Sequence, residues 1–519
     1  MISRVKVLPS FPTINWVAIS ISALALLLSG PMGVAACLFS KGFAGGEGLA
    51  ALALLGLWLV SLLSAARFDL MVLAAFSLFA FVRLEPAPSD ALFAILLVVG
   101  LLAKKLSPKA LEGSSLIHLS LWTFLAANLF SLIGARPLKP SLRFLAITVY
   151  LVAFFYLVRM YVTSASRVRN VLLGYLISAA VTVFLVGLGY LRVGRADELF
   201  LGWGVRAEGF FKDPNVLGPF LVPLVVLLLD EILRPRLFPG RDLLKLMGVV
   251  AFGAGVFLTF SRGAWLNLAL ALVAYFLLLG RADRARLTPV VLALLLAAIV
   301  LTGFVLQHEG LRGFFQERFA GQGYDAGRFA RQLEGLMAVA AHPAGLGPGN
   351  WSDAHSLYVR TLAENGLLGF LSLLLFILTL VANLARRAAG EVEKPYGLSS
   401  KVLLASLLGT LANSFVIDTI HWRHLWLLLA LSWAVCTEER GARPRPLGAD
   451  TAVGRYSQFV APPASVYSMW QNFIETIPWR RRGRKAPSSQ GMGRGASPTL
   501  FDGVVAALCP RLRRTALSA

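Results

Sequence analysis

Long apolar runs recur along most of the chain and constrain its fold more than any other feature. Residues 51–63, 144–157 and 290–306 are three runs without a charged side chain. A helix that crosses a bilayer needs about 20 mainly apolar residues. With 57% hydrophobic and 15% charged residues, the sequence predicts an all-α, polytopic transmembrane helix bundle rather than a soluble domain.

The spacing of these runs predicts about 12–14 transmembrane helices within a domain that spans residues 1–440. Residues 441–519, rich in Arg, Pro, Gly and Ser, predict a basic, disordered cytoplasmic tail. Its aromatic segment, 467–479, either rests on anionic lipid headgroups or belongs to a dispensable extension. The expected helices cover residues 14–38, 47–65, 68–84, 89–103, 115–134, 141–162, 168–191, 214–233, 243–260, 262–280, 287–306, 357–385, 399–417 and 421–437.

Lys and Arg in the connections indicate the orientation of the bundle. The net charge of +22 is typical of basic cytoplasmic loops in a membrane protein, so nucleic acid is not an expected partner. With fourteen spans, most basic connections fall on the side of the N-terminus, which we expect to be cytoplasmic. Three cations do not fit this orientation, because they fall on the predicted outer side: Arg136, Lys139 and Arg143. Either the helix count is wrong there, or these cations have a function outside.

Three polar stretches interrupt the apolar sequence within residues 202–369, and a hydrophobic helix follows each one. Because these helices all run inward in the predicted topology, the stretches should share the outer side with a structured outer loop, 307–356. That loop contains an amphipathic, helical piece at 328–341. The stretches are GVRAEGFFKDPN at 204–215, TFSRGAW at 259–265 and HPAGLGPGNWSDAHSLYVRTLAENGLLG at 342–369.

Each stretch should place a helix N-terminus at the outer boundary. Asp213 can cap the first helix, Ser261 the second, and Ser352 or Asp353 the third. A helix N-terminus carries about half a positive charge and readily binds anions. Three such ends would therefore form one anion site.

The stretches also carry cations and one histidine. Arg206, Lys212 and Arg262 suit the site to a phosphate or pyrophosphate, which Arg can bind bidentately. His355 and Tyr358 are expected in the first turn of the third helix. Because nearby cations disfavour imidazolium, His355 should be neutral and able to accept a proton. Such a group can deprotonate a hydroxyl while the cations stabilise a departing pyrophosphate.

Structural roles compete with these assignments. A single Arg at a helix mouth is more often an interfacial anchor, and a single His near a membrane surface is more often a hydrogen-bonded structural residue. The glycines at 345, 347 and 349 can simply form a turn. The coincidence of three polar stretches on one face favours the functional interpretation. The tryptophans that fit an aromatic belt are Trp203, Trp265 and Trp351.

The stretches contain no carboxylate pair suited to glycoside hydrolysis and no clustered Asp, Glu, His or Cys. Cys37, Cys436 and Cys509 lie far apart and suggest neither a disulfide framework nor a metal site. The sequence therefore predicts no metal site and gives no sign of a cofactor.

Three blocks resemble the superfamily of O-antigen ligases and O-antigen polymerases, which includes bacterial protein O-oligosaccharyltransferases. They are RAEGFFKDPNVLGPFL, TFSRGAWLNL, and HPAGLGPGNW followed by DAHSLYVRTLAENGLLG, and they cover about a third of the chain. Where the family often has His-Asn, this chain has His355-Ser356.

The resemblance implies a metal-independent glycosyltransferase of the bacterial inner membrane, with its active site facing the periplasm. We expect in-line attack and therefore an inverting enzyme, and the basic connections and tail predict that both termini are cytoplasmic. The enzyme would move a glycan from an undecaprenyl-pyrophosphate carrier to an acceptor hydroxyl in surface polysaccharide assembly. Taken together, the stretches and the resemblance give these expected site residues: for pyrophosphate Arg206, Arg262 and Lys212, as general base His355, and as further glycan or pyrophosphate contacts Arg328 and Tyr358.

Two alternatives remain beside a repeat-unit polymerase, which we favour. A ligase would pass the glycan to lipid A-core or to a protein, and nothing in the residues separates it from a polymerase. A transporter or flippase would carry ionisable residues or broken helices near mid-membrane, whereas here the polar residues gather at the boundary. Expected partners are the lipid-linked glycan, the acceptor, membrane lipid, and a chain-length regulator or flippase.

Overall fold

The structure of the protein is a computed structural model. Residues 56, 60 and 61 are also described, but the predicted first helix, most of the second, and the predicted tail lie outside the described residues. The structure describes residues 63–437 apart from 308, 320–322 and 392–393.

The described chain is almost entirely helical. Its elements are α1 (Phe68–Ser77), α2 (Pro88–Leu102), α3 (Ser115–Ser131), α4 (Leu138–Tyr161), α5 (Ala165–Tyr190), α6 (Ala196–Phe200), β1 (Leu201–Gly202), β2 (Arg206–Ala207), α7 (Pro214–Leu233), α8 (Asp242–Leu258), α9 (Arg262–Leu278), α10 (Arg281–Gln307), α11 (Glu309–Phe319), α12 (Gly323–Ala341), α13 (Leu357–Ala389), α14 (Ser400–Asn413) and α15 (Arg423–Thr437).

Six described helical segments are long and apolar enough to cross a membrane: α3 together with the helical turn that continues it to Gly134, α4, α5, α7, α10 and α13. Helices α1, α2, α9 and α15 are apolar but shorter. Twelve of the described helices fall on the twelve predicted segments from 68–84 to 421–437. The prediction of a polytopic helical membrane protein is confirmed.

Helix α7 lies at the centre of the bundle. Asp213 caps it by accepting a hydrogen bond from the backbone N–H of Asn215, and Pro214 occupies its first turn. In its apolar stretch 83% of the residues are buried, against 14% in α10, which therefore lies at the periphery. A Cβ on Gly218 would come within 2.4 Å of the Cβ of Ala264, so only glycine allows α7 to cross α9 this closely.

Helix α1 ends at Ser77, earlier than predicted, because the chain turns away to contact the first polar stretch. The backbone N–H of Val82 donates to the Phe210 carbonyl at 3.3 Å, and Arg83 Nε donates to the Phe211 carbonyl at 3.4 Å. The first of these bonds gives the Val82 N–H the partner that it would otherwise have in a longer helix, and the second attaches the Arg83 side chain to the polar stretch.

The loop after α10 holds two helices, α11 and α12, where the sequence predicted one. Phe314 of α11 packs edge-on against Phe260, with ring centroids 5.4 Å apart, and Phe315 lies 6.1 Å from Trp265. Aromatic pairs at these distances are favourable. They hold the loop against the ends of α8 and α9.

Candidate active site

A cavity of about 1570 Å³ opens where the three polar stretches meet, and we call it the polar cavity. Residues of all three stretches line it, together with one face of α12. The structure thus brings most of the predicted site residues together. Those that line the polar cavity are Arg206, Lys212, Arg262, Arg328 and His355.

Arg206 links the first stretch to the second. It lies on β2, which pairs with β1 in a short hairpin. Its Nε donates to the Thr259 carbonyl at 2.8 Å, and its Nη2 donates to Asn215 Oδ1 at 3.1 Å. Only 4% of Arg206 is exposed, so the guanidinium is fixed in orientation at the cavity wall.

Arg262 is the first residue of α9, directly after its cap. The Ser261 hydroxyl accepts from the backbone N–H of Ala264, as the sequence predicted. Arg262 Nη2 donates to both carboxylate oxygens of Asp325 at 2.7 Å. Because Asp325 lies on α12, this ion pair connects the loop helix to the second stretch.

Glu85 pairs with Lys212 and also with Arg143. The hydrogen bond from Lys212, with the positive charges of Lys212 and Arg143 beside it, holds the pKa of Glu85 below its ordinary value. Arg143 is one of the three cations that disagreed with the predicted orientation. Through Glu85, it lies at the same end of the bundle as Lys212 and the polar cavity.

His355 comes just before α13, and the prediction that it lies in the first helical turn is wrong. Residues 352–354 form a short turn, and His355 then adopts φ +44°, which ends that turn. The N-cap position of α13 is Ser356, whose hydroxyl accepts from the Val359 N–H at 3.5 Å. The prediction of Ser352 or Asp353 at this position is wrong. Asn caps helices as well as Ser, so Ser356 fills the capping position as an Asn there would.

The glycine-rich part of the third stretch is a turn folded onto α13. The backbone N–H groups of Leu346 and Gly347 donate to the carbonyls of Ala363 and Glu364, each at 2.9 Å. A Cβ on Gly345 would lie 2.3 Å from the Glu364 carbonyl oxygen, and its φ is +91°. These contacts favour the turn interpretation over a phosphate cradle.

The side chain of Glu364 anchors the end of this turn. Its Oε1 accepts from Trp351 N–H at 3.0 Å and from Arg360 Nε at 2.9 Å. Arg360 also pairs with Asp418, and Glu364 and Arg360 are each about 4% exposed. This buried network fixes the segment that leads to His355.

Tyr358 lies outside the lining of the polar cavity. Its hydroxyl donates to the Leu411 carbonyl at 2.9 Å, and its ring packs at a tilt of 40° against Phe415 with centroids 4.4 Å apart. The side chain therefore joins α13 to the end of α14.

Carboxylates accompany the cations of the polar cavity, which is less cationic than the sequence suggested. Arg83 pairs with Glu208 at 3.4 Å, in addition to the pairs of Lys212 and Arg262. Cations beside a low-dielectric wall need such counter-charges. The acidic lining residues among those described are Glu198, Glu208, Asp213, Glu317 and Asp325.

Sequence reasoning missed Arg83, Glu208, Asp325 and Glu364. Arg83 meets Glu208 from 125 positions away, and no local pattern signals such a pair. Asp325 did carry a signal, because it precedes Arg328 by three residues on an amphipathic helix and so shares its face.

These helices and this cavity define a multi-pass helical membrane protein with a charged site at one end of its bundle. Residues 247–374 match the family model described as O-Antigen ligase, from within α8 to within α13. The resemblance to that family is confirmed for this segment, which contains Arg262, Arg328 and His355. The enzymes of this family are glycan ligases and polymerases of surface polysaccharide assembly. The protein is therefore involved in polysaccharide biosynthesis. No curated protein matches the chain.

Proposed function

We propose that the protein transfers a glycan from an undecaprenyl-pyrophosphate carrier to an acceptor hydroxyl, with the polar cavity as its active site. The observation that carries this proposal is that His355 and Arg262 line the same cavity, although 93 positions separate them in the sequence (355 − 262). A base and a phosphate-binding cation in one cavity are what such a transfer requires.

The leaving group would bind at Arg206, Arg262 and Lys212. The first turns of α7 and α9 also line the cavity, and helix N-termini stabilise anions. Arg206 is preorganised by its bonds to Thr259 and Asn215, so its reorganisation during the reaction would be small. Arg328, one turn after Asp325, supplies a further cation for the glycan or the pyrophosphate.

In the proposed step, His355 takes the proton from the acceptor hydroxyl. The hydroxyl oxygen attacks the anomeric carbon while the bond from that carbon to the pyrophosphate oxygen breaks. The electron pair of that bond leaves with undecaprenyl pyrophosphate. In-line attack inverts the anomeric configuration, and the protonated His355 returns its proton to the departing phosphate or to water. This step needs no metal.

We propose a repeat-unit polymerase, whose acceptor is a second lipid-linked repeat unit, acting on the periplasmic side of the inner membrane. Deletion of the gene would then leave single repeat units on the final acceptor. A ligase would instead leave the acceptor bare, and electrophoretic sizing of the glycan distinguishes the two outcomes.

The direct test is incubation of the purified protein in detergent with an undecaprenyl-pyrophosphate glycan and excess EDTA. We expect a new glycosidic bond and free undecaprenyl pyrophosphate. Turnover without a sealed compartment would exclude a pure transporter. Loss of product with EDTA and its recovery with a divalent cation would contradict metal independence.

A further inference from the structure

Trp203 occupies the turn between β1 and β2 and lines the polar cavity. Its side chain is 77% exposed, which is unusual for an indole beside a buried arginine. Its φ of +52° lies in the left-handed region that a bulky residue rarely adopts. The hairpin therefore holds an aromatic ring outward in a strained conformation.

The other two tryptophans of the polar stretches are used differently. The Trp265 indole N–H donates to the Phe257 carbonyl at 3.1 Å, and its ring stacks on Phe257. Trp351 donates to the Arg331 carbonyl at 3.3 Å and lies 4.8 Å from the Arg331 guanidinium. Neither lines the polar cavity. Of these three tryptophans, Trp203 is the one that lines the polar cavity.

Two contacts fix the Trp203 ring next to the proposed pyrophosphate site. The Arg206 guanidinium carbon lies over the ring, 5.5 Å from its centroid, and Phe314 meets the ring edge-on at 6.4 Å. A cation over an indole face is favourable. The ring is thus held against a residue assigned to the pyrophosphate, and it stays largely exposed where it lines the cavity.

Backbone strain concentrates around this cavity. Three of the seven non-glycine residues with positive φ in the described chain line it, namely Trp203, Phe260 and His355. Such strain persists where the surrounding structure enforces it, and it clusters at ligand sites.

We propose that Trp203 is the stacking platform for the sugar ring that is joined to the pyrophosphate of the lipid carrier. This inference rests on the proposed function. An indole face is electron-rich, and the C–H groups on the apolar face of a pyranose are weakly positive, so the two attract. The pyrophosphate on Arg206 would place the first sugar over the neighbouring ring. Such stacking selects for a pyranose ring and does not depend on which pyranose it is.

The test compares binding of two lipids in detergent, undecaprenyl pyrophosphate and the same lipid bearing one N-acetylglucosamine. In Trp203→Leu, we expect affinity for the sugar-bearing lipid to fall about tenfold, with affinity for the sugar-free lipid unchanged. Trp203→Phe keeps a smaller aromatic face and should lose about threefold, again only for the sugar-bearing lipid. The matched control is Trp122→Leu, because Trp122 is 59% exposed and lies outside the cavity lining.

Equal loss for both lipids would overturn the proposal, because Trp203 would then act only by holding Arg206. No loss for either lipid would also overturn it and make the ring a membrane anchor. If Trp203→Leu does not fold, Trp203→Phe tests the proposal through the same comparison between the sugar-bearing and the sugar-free lipid. Failure of the proposed function is seen separately, as absence of product from the wild-type protein.

Discussion

Arg262 donates from one guanidinium nitrogen to both carboxylate oxygens of Asp325, each at 2.7 Å. Asp325 thus occupies the position that a phosphate oxygen would take on this arginine. In the function proposed above, a pyrophosphate that binds Arg262 would compete with this carboxylate, and its binding would therefore affect the contact between Arg262 and α12.

Replacement of Asp325 by Asn should therefore tighten pyrophosphate binding. The amide competes less well for the guanidinium, and one negative charge leaves the cavity. Because a partly exposed ion pair contributes up to about 1 kcal/mol, we expect about threefold tighter binding of undecaprenyl pyrophosphate, measured by titration in detergent. Glu112→Gln removes an exposed carboxylate outside the cavity lining and should change nothing. Weaker binding in Asp325→Asn would show that the carboxylate helps rather than competes.

Arg262→Ala should weaken binding of undecaprenyl pyrophosphate. A hydrogen bond to a charged group contributes about 1.5–3 kcal/mol, so we expect the dissociation constant to rise about tenfold to 100-fold. Arg169→Ala is the matched control, since Arg169 is exposed and does not line the cavity. Unchanged affinity in Arg262→Ala would remove this residue from the pyrophosphate site.

Glu364→Ala should destabilise the protein and slow transfer together. The change leaves the Arg360 guanidinium without one buried partner and releases the backbone N–H of Trp351. Removing one partner of a buried ion pair costs about 3–5 kcal/mol, which thermal unfolding in detergent would detect. Glu334→Ala breaks an exposed pair and should cost at most about 1 kcal/mol. Equal stability of the two variants would contradict the anchoring role of Glu364.

Because of His421, we expect the free energy of unfolding to fall in acid. Burial, reinforced by the charge of Arg360, lowers its pKa from 6.5 to about 3, so the folded protein holds the imidazole neutral. The unfolded chain takes up a proton first. The free energy of unfolding therefore falls as the pH drops below 6.5, and this fall levels off below about 3.

Between about pH 7.5 and about pH 5 this residue should account for about 2 kcal/mol of lost stability. The melting temperature of His421→Gln should thus depend less on pH than that of the wild-type protein. His342→Gln alters an exposed histidine and serves as the control. Identical pH dependence in His421→Gln and the wild type would disprove the assignment.

Apolar runs and caps predicted most of the bundle. Asp213-Pro214 and Ser261 begin their helices where expected, because the signals for a helix start are local. The start of α13 at Leu357 was predicted, but its cap was not, since Ser352, Asp353 and Ser356 are all good caps. The choice among them depends on the left-handed turn at His355 and on its packing against α14.

The sequence could place Arg206, Arg262 and His355 near one another because each lies in a polar stretch that precedes a hydrophobic helix. The ion pairs of the cavity were not predicted, because Glu85 pairs with Lys212, Glu208 with Arg83 and Asp325 with Arg262 across long sequence separations. Tyr358 looked like a site residue by proximity to His355, but helical geometry turns its side chain toward Leu411. Local sequence patterns thus predict which charged residues lie at helix starts, whereas tertiary packing determines their ion-pair partners.

The most direct measurement is single-turnover transfer by His355→Ala, beside binding of undecaprenyl pyrophosphate to the same variant. His342→Ala is the control, since His342 is exposed and does not line the cavity. If His355 is the base, its loss should slow transfer about 100-fold or more while lipid affinity stays within about twofold of the wild type. Transfer at the wild-type rate by properly folded His355→Ala would contradict a base and a pyrophosphate site working together in the polar cavity.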